Sequence, residues 1–288
     1  MSVDHHPRRD TGASPPVDTM PAASPPVDTM PGASPPVDTM PAVGGVVTSA
    51  ASVTSSTPAA AVAPARSLRW LALATGASMG LLLAGAFLYA PTDAVQGPPQ
   101  RIFYIHVPSA WVSFVAFFVV FVASIGVLAR RSRACDRVAA ASAEVGVVFT
   151  TAVLLTGPLW ARPIWGVYWS WDPRLTSFFM LWLLYLSYLS LRRYVTEPSR
   201  RARYCAVLGI VAFLDIPVVY LSVRWWRTLH PGPVVAAPEG PQLPVEMLAV
   251  LLVGVAAFTL LYLLLLRLRV DNAVREDQQA EALVRGLR

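Results

Sequence analysis

Lysine is absent from this chain: all 23 basic side chains are arginine. Charged residues make up only 14% of the 288, while 55% are hydrophobic and the mean hydropathy is +0.52. Those values exclude an ordinary soluble globular protein. Cysteine is scarce too. Cys135 and Cys205 form no C-x-x-C pair, so thiol–disulfide exchange is not expected and both are read as inert. A short apolar segment behind a basic start is missing, so no cleavable signal peptide is expected. No basic patch on a soluble face is visible either, and nucleic-acid binding is not expected.

Long apolar runs are plentiful. Six have the length needed to cross a hydrocarbon core of about 30 Å, at 68–90, 110–129, 138–159, 175–194, 204–223 and 245–266. Lipid offers no partner for an unpaired backbone group, so spans of this length are helices. The expected fold is all-α: a polytopic membrane protein of six transmembrane helices over 68–267, with residues 268–288 as a further tail.

The arginines orient it. Eighteen of the 23 fall before or at the start of the first span, in or at the edge of the second-to-third and fourth-to-fifth loops, or after the last span. The other five are Arg101, Arg162, Arg174, Arg224 and Arg227. This asymmetry predicts both termini in the cytoplasm and the loops 91–109, 160–176 and 224–244 on the outer side.

Residues 1–67 are a different kind of sequence. The decapeptide [G/A]-A-S-P-P-V-D-T-M-P occurs three times between 12 and 41, followed by an Ala/Ser/Thr/Val tract. Proline at three of every ten positions removes backbone donors and blocks helix, so an extended, disordered cytoplasmic tail is expected. His5 and His6 lie in it and are read as incidental.

The outer side carries the chemistry. Residues 165–176 read W-G-V-Y-W-S-W-D-P-R-L-T, with Trp160 and Arg162 just ahead. Seven of the nine tryptophans lie in or beside the outer loops: Trp111, Trp160, Trp165, Trp169, Trp171, Trp225 and Trp226. An interfacial belt would be two-sided. A one-sided cluster edged with cations suits a large, planar, anionic ligand. His106, in R-I-F-Y-I-H-V-P-S-A-W, and His230, in R-W-W-R-T-L-H-P, are the only histidines outside the tail. One precedes the second span and the other follows the fifth. Two neutral imidazoles approaching from opposite sides would suit haem iron. Zinc would want three or four ligands. Arg162, Arg174, Arg101, Arg224 and Arg227 are candidates for the propionates, because guanidinium matches a carboxylate. Asp172 pairs with Arg174 or holds a turn before Pro173, and that structural role is favoured over contact with the ligand. Gly166 allows a tight backbone path between indoles.

Two carboxylates lie inside spans: Glu144 in the third, and Asp215 in the fifth, two residues before Pro217. Such groups are costly in a bilayer and often functional. The alternative is a bond to a neighbouring helix or to backbone freed by the proline.

The three motifs, in this order, resemble the tryptophan-rich "WWD" haem-handling proteins of cytochrome c maturation, and in particular the haem exporter protein C (CcmC) family. The resemblance covers residues 68–267. It implies haem held non-covalently, as haem b, at the outer leaflet of the bacterial inner membrane and loaded onto a periplasmic haem chaperone (CcmE). His106 and His230 would be the axial ligands, and Trp165, Trp169, Trp171 and Asp172 would contact haem and chaperone. Tyr168 and Pro173 occupy variable positions of the signature. An ABC transporter pair (CcmA and CcmB) and a small single-span subunit (CcmD) are the implied partners. The chain itself has no Walker A motif, which fits energy supplied by a partner. A haem-transfer protein is expected rather than a stand-alone enzyme. The competing readings are a haem lyase of the larger WWD siblings, which have more spans and a further histidine pair, and an ion or solute transporter built on Asp215 and Glu144.

Overall fold

The computed structural model describes residues 66–232, Val235 and 240–287. The repeats, His5 and His6 lie outside the described residues. Six helical segments long and apolar enough to cross a membrane run from one end of a bundle to the other. The end reached by the loops 131–132 and 195–197 is called here the arginine end, and the other the tryptophan end.

Helix α1 (Arg66–Ala84) closes in a π-turn, Gly85–Tyr89, where Ala90 N–H donates to Gly85 O at 2.8 Å. A 3-10 turn, Pro98–Ile102, leads into α2 (Phe103–Arg130). Proline suits a helix start because the first N–H groups have no intrahelical acceptor. This is why the second helix begins earlier than its apolar run.

Helix α3 (Arg133–Trp165) is capped by Ser132, whose hydroxyl accepts from Cys135 N–H at 3.3 Å. It continues beyond the apolar run and ends at Gly166, which has φ 76°. That left-handed conformation is open to glycine at little cost, so the glycine expected between the indoles is the C-cap of α3.

Helix α4 (Pro173–Tyr194) follows. The fifth span is two helices, α5 (Pro198–Phe213) and α6 (Asp215–Trp225), with Leu214 N–H bonded to Val211 O at 3.1 Å. Pro217 has no N–H for the carbonyl of Phe213, and the ladder resets there. Asp215 is therefore at a helix break rather than inside a continuous helix, and its Oδ2 is buried without a hydrogen-bond partner among the described residues.

Helix α7 (Val245–Gly286) has 42 residues, about 63 Å at 1.5 Å per residue. The expected tail 268–288 thus begins as more of the same helix. It is held to α3 by the pairs Arg269–Glu144, Arg137–Asp277 at 2.9 Å and Arg133–Glu281 at 3.8 Å. Glu144 is an ion-pair partner between helices.

α2 and α3 form the central pair. A Cβ on Gly146 would stand 2.5 Å from Phe117 Cε1, and Phe117 is itself stacked on Tyr185 at 3.5 Å. Ser142 Oγ donates to Ala116 O at 2.7 Å and bonds Tyr262 Oη at 2.8 Å, tying α2, α3 and α7 together. One apolar core joins α1, α2 and α7 with part of α3; a second joins α2 and α3 to α4, α5 and α6.

Candidate functional site

His106 is the fourth residue of α2, inside its first turn rather than in the loop ahead of it. Its ring meets Trp160 of α3 edge-on, with centroids 5.6 Å apart at 67°. Gly157 leaves room beneath it: a Cβ there would lie 3.3 Å from His106 Cε1. His106 Nδ1 is 2.9 Å from Thr156 Oγ1, and that hydroxyl donates to Ala152 O at 2.7 Å. With its one hydrogen committed, Thr156 can only accept. His106 is thereby assigned its proton on Nδ1, leaving Nε2 a bare lone pair.

His230 reaches the same tautomer by another route. Its Nδ1 lies 2.9 Å from Pro231 O, an acceptor only, so Nδ1 donates and Nε2 is again free. Burial and the nearby charge of Arg174 hold the His230 pKa below its ordinary 6.5, against the opposing pull of the Pro231 bond and Asp172. The imidazole is neutral at pH 7, the form that ligates metal.

Arg174 is the second residue of α4 and acts electrostatically on both imidazoles. Of the five outer arginines it is the one whose charge acts on both His106 and His230. Arg101 is engaged elsewhere: it donates to Ala86 O, contacts Thr92 Oγ1 at 3.3 Å and lies over Phe87. Arg162 donates to Gly166 O and lies over Tyr168 with 5.5 Å to the ring centroid, bracing the C-cap of α3. Arg224 and Arg227 are exposed at and just beyond the end of α6.

Asp172 plays the structural part expected of it, and one more. Oδ1 accepts from Leu175 N–H at 2.9 Å, capping α4. Oδ2 accepts from Thr228 Oγ1 at 2.9 Å, and Thr228 Oγ1 accepts from His230 N–H at 3.1 Å.

The tryptophan run is divided between two places. Trp160 and Trp165 belong to the last turns of α3, with Trp160 against His106. Trp169 and Trp171 meet edge-on at 5.5 Å and fold towards Phe179 of α4. With Trp182, Thr151, Leu154 and Leu155 they line an open apolar groove of about 430 Å³. Thr151 and Leu155 lie on roughly the opposite side of α3 from Gly157 and Trp160 at 100° per residue. Groove and histidine are thus on different faces of one helix. Trp169 Nε1 is buried without an acceptor among the described residues.

Sequence reading missed Thr156, Gly157 and Thr228 as site residues, and named Trp160 only as a neighbour. Trp160 Nε1 also donates to Gln96 at 3.0 Å, across 64 positions. The usable signal was weak: hydroxyl and small residues directly beside the recognised motifs. Both cysteines are free thiols, with Cys135 next to the α3 cap at the arginine end and Cys205 buried in α5. Among the described residues no group of three or more His, Cys, Asp or Glu could hold a metal ion.

The fold defines a polytopic helical membrane protein with His106, His230 and most of its tryptophans towards one end. The family model for CcmC, heme exporter protein C, matches residues 51–285, and the chain belongs to that family. It is 45% identical over 201 residues to the heme exporter protein C of Bradyrhizobium diazoefficiens, covering 70% of this chain and 76% of the relative. The heme exporter protein C of Paracoccus denitrificans is 34% identical over 219 residues, 76% of this chain and 90% of its own. That of Escherichia coli K12 is 35% identical over 163 residues, 57% of this chain and 66% of the relative.

Proposed function

We propose that the protein holds haem between His106 and His230 at the outer leaflet of the bacterial inner membrane and delivers it to the periplasmic haem chaperone, CcmE, during cytochrome c maturation. The observation that carries this reading is the shared bonding: Nδ1 is engaged in both rings, at 2.9 Å from Thr156 Oγ1 in His106 and 2.9 Å from Pro231 O in His230, which leaves Nε2 of each for iron. A porphyrin brings its own equatorial nitrogens, so two axial donors complete the iron where zinc would still lack ligands. Arg174 offers a guanidinium for a propionate at the same place, and Trp160 offers an aromatic wall.

Retention would be non-covalent, as haem b, because the thiols belong to other parts of the fold. Non-covalent retention also suits a protein that must give its cargo away. Trp171, next to Asp172 in the loop between α3 and α4, is 73% exposed, so that loop has a surface for the chaperone. CcmA and CcmB, with the small subunit CcmD, are the proposed partners in the membrane, and the energy of release is theirs.

The haem lyase reading is disfavoured because His106 and His230 are the only histidines outside residues 1–67. The transporter reading loses one of its two carboxylates, since Glu144 pairs with Arg269. Purified protein should give the absorption spectrum of low-spin, bis-histidine haem. His106→Ala with His230→Ala should abolish it, and full haem retention in that double variant would overturn the assignment.

A further inference from the structure

We propose that Thr228 is a positioning residue that ties the tryptophan-rich loop to the haem ligand His230, so that displacing the loop loosens the ligand. The inference rests on the reading of His230 given above.

A threonine hydroxyl has one hydrogen and a pair of acceptor sites. Thr228 gives its hydrogen to Asp172 Oδ2 at 2.9 Å and receives the backbone N–H of His230 at 3.1 Å. The bond to the carboxylate is charge-assisted and is the stronger kind. Asp172 is fixed from its other oxygen by Leu175 N–H. A single carboxylate therefore sets the start of α4, which carries Arg174, and through Thr228 sets the backbone at His230. Asp172 and Thr228 are 56 positions apart in the chain, so folding alone makes them neighbours.

The loop has an outward handle. Trp171 precedes Asp172 directly and is 73% exposed, so a partner that grips the indole pulls on the carboxylate next to it. Broken at Thr228, the link leaves the ring of His230 held by its Nδ1–H bond to Pro231 O, on a backbone that has lost its N–H acceptor. Iron coordination at His230 then weakens while the bond between His106 and Thr156, on α2 and α3, is untouched. Loop contact and ligand release are joined by one hydroxyl.

The test uses the full-length, haem-loaded protein and three variants. Thr228→Val keeps the shape and removes both bonds; Thr228→Ser keeps both bonds; His230→Ala marks loss of the ligand. Thr228→Val should shift the spectrum toward five-coordinate, high-spin haem. Exogenous imidazole should bind at about a tenfold lower concentration than in the parent, the size of effect found when the groups that orient a metal ligand are removed. Thr228→Ser should match the parent. In the haem-free protein, exchange of the His230 amide hydrogen should speed up in Thr228→Val only, a readout that needs no cargo. A parental spectrum and imidazole titration in Thr228→Val, alongside a changed spectrum in His230→Ala, would overturn the positioning role and leave the ligand reading standing. A serine variant that behaves like valine would overturn it as well. An unchanged spectrum in His230→Ala would remove the ligand reading itself.

Discussion

At the scale of single residues, the working state of the site is set by where two protons sit. Thr156 and Pro231 O each hold an imidazole by Nδ1, and neither residue type announces this in the sequence. The histidines, Trp160, Asp172 and Arg174 are legible as unusual residues in unusual company. Their tautomers are not legible, because a tautomer depends on a partner brought close by folding.

A pH dependence follows. The pKa of His230 lies below 6.5, so a proton competes for Nε2 only once the pH falls beneath that value. Haem retention should therefore be flat from about pH 8 down to the ordinary imidazole range and decline on further acidification. Removing the cationic neighbour with Arg174→Met should move the onset of the decline to higher pH. Equilibrium haem binding across a pH series checks this, and a decline already present above pH 7 in the parent would contradict it.

At the scale of elements, the six spans were readable because lipid makes apolar length a direct signal. Their limits were less readable. Helices α2, α3 and α7 run past the apolar windows, since prolines, caps and ion pairs set a helix end as much as hydropathy does. As a result His106 and Trp160 sit on helices, more rigidly than loop residues would. The broken fifth span illustrates the reverse: Pro217 was visible in the sequence, while the division into α5 and α6 was not drawn from it.

The central pair of elements gives a sharp test. Gly146→Ala puts a methyl where Phe117 already stands, and Phe117 is backed by Tyr185. Overpacking of this kind costs about 1–3 kcal/mol. The substitution should lower the midpoint of SDS-induced unfolding in detergent, and a parental midpoint would show that α2 and α3 do not pack so closely.

At the scale of the whole molecule, two cores share α2 and α3, while α1 leans mainly on α7. The arginine bias predicts that the tryptophan end faces the periplasm. Cys135, near the α3 cap at the arginine end, is partly exposed, and serves as a native marker. In intact cells a membrane-impermeant maleimide should label Ser170→Cys in the tryptophan loop and leave Cys135 unmodified. After permeabilisation Cys135 should become reactive. The opposite pattern would invert the orientation and remove the periplasmic assignment.

The sequence by itself determined the class of the molecule, the number of spans and the cluster of tryptophan, histidine and arginine at one end. Hydrophobic length, charge asymmetry and composition are properties of a chain, whatever its contacts. Only the tertiary structure decided which arginine's charge acts on both histidines, that Trp169 and Trp171 lie on a different side of α3 from His106, and that Thr228 joins Asp172 to His230. Those are relations between residues far apart in the chain, and they exist only where packing brings a donor to its acceptor.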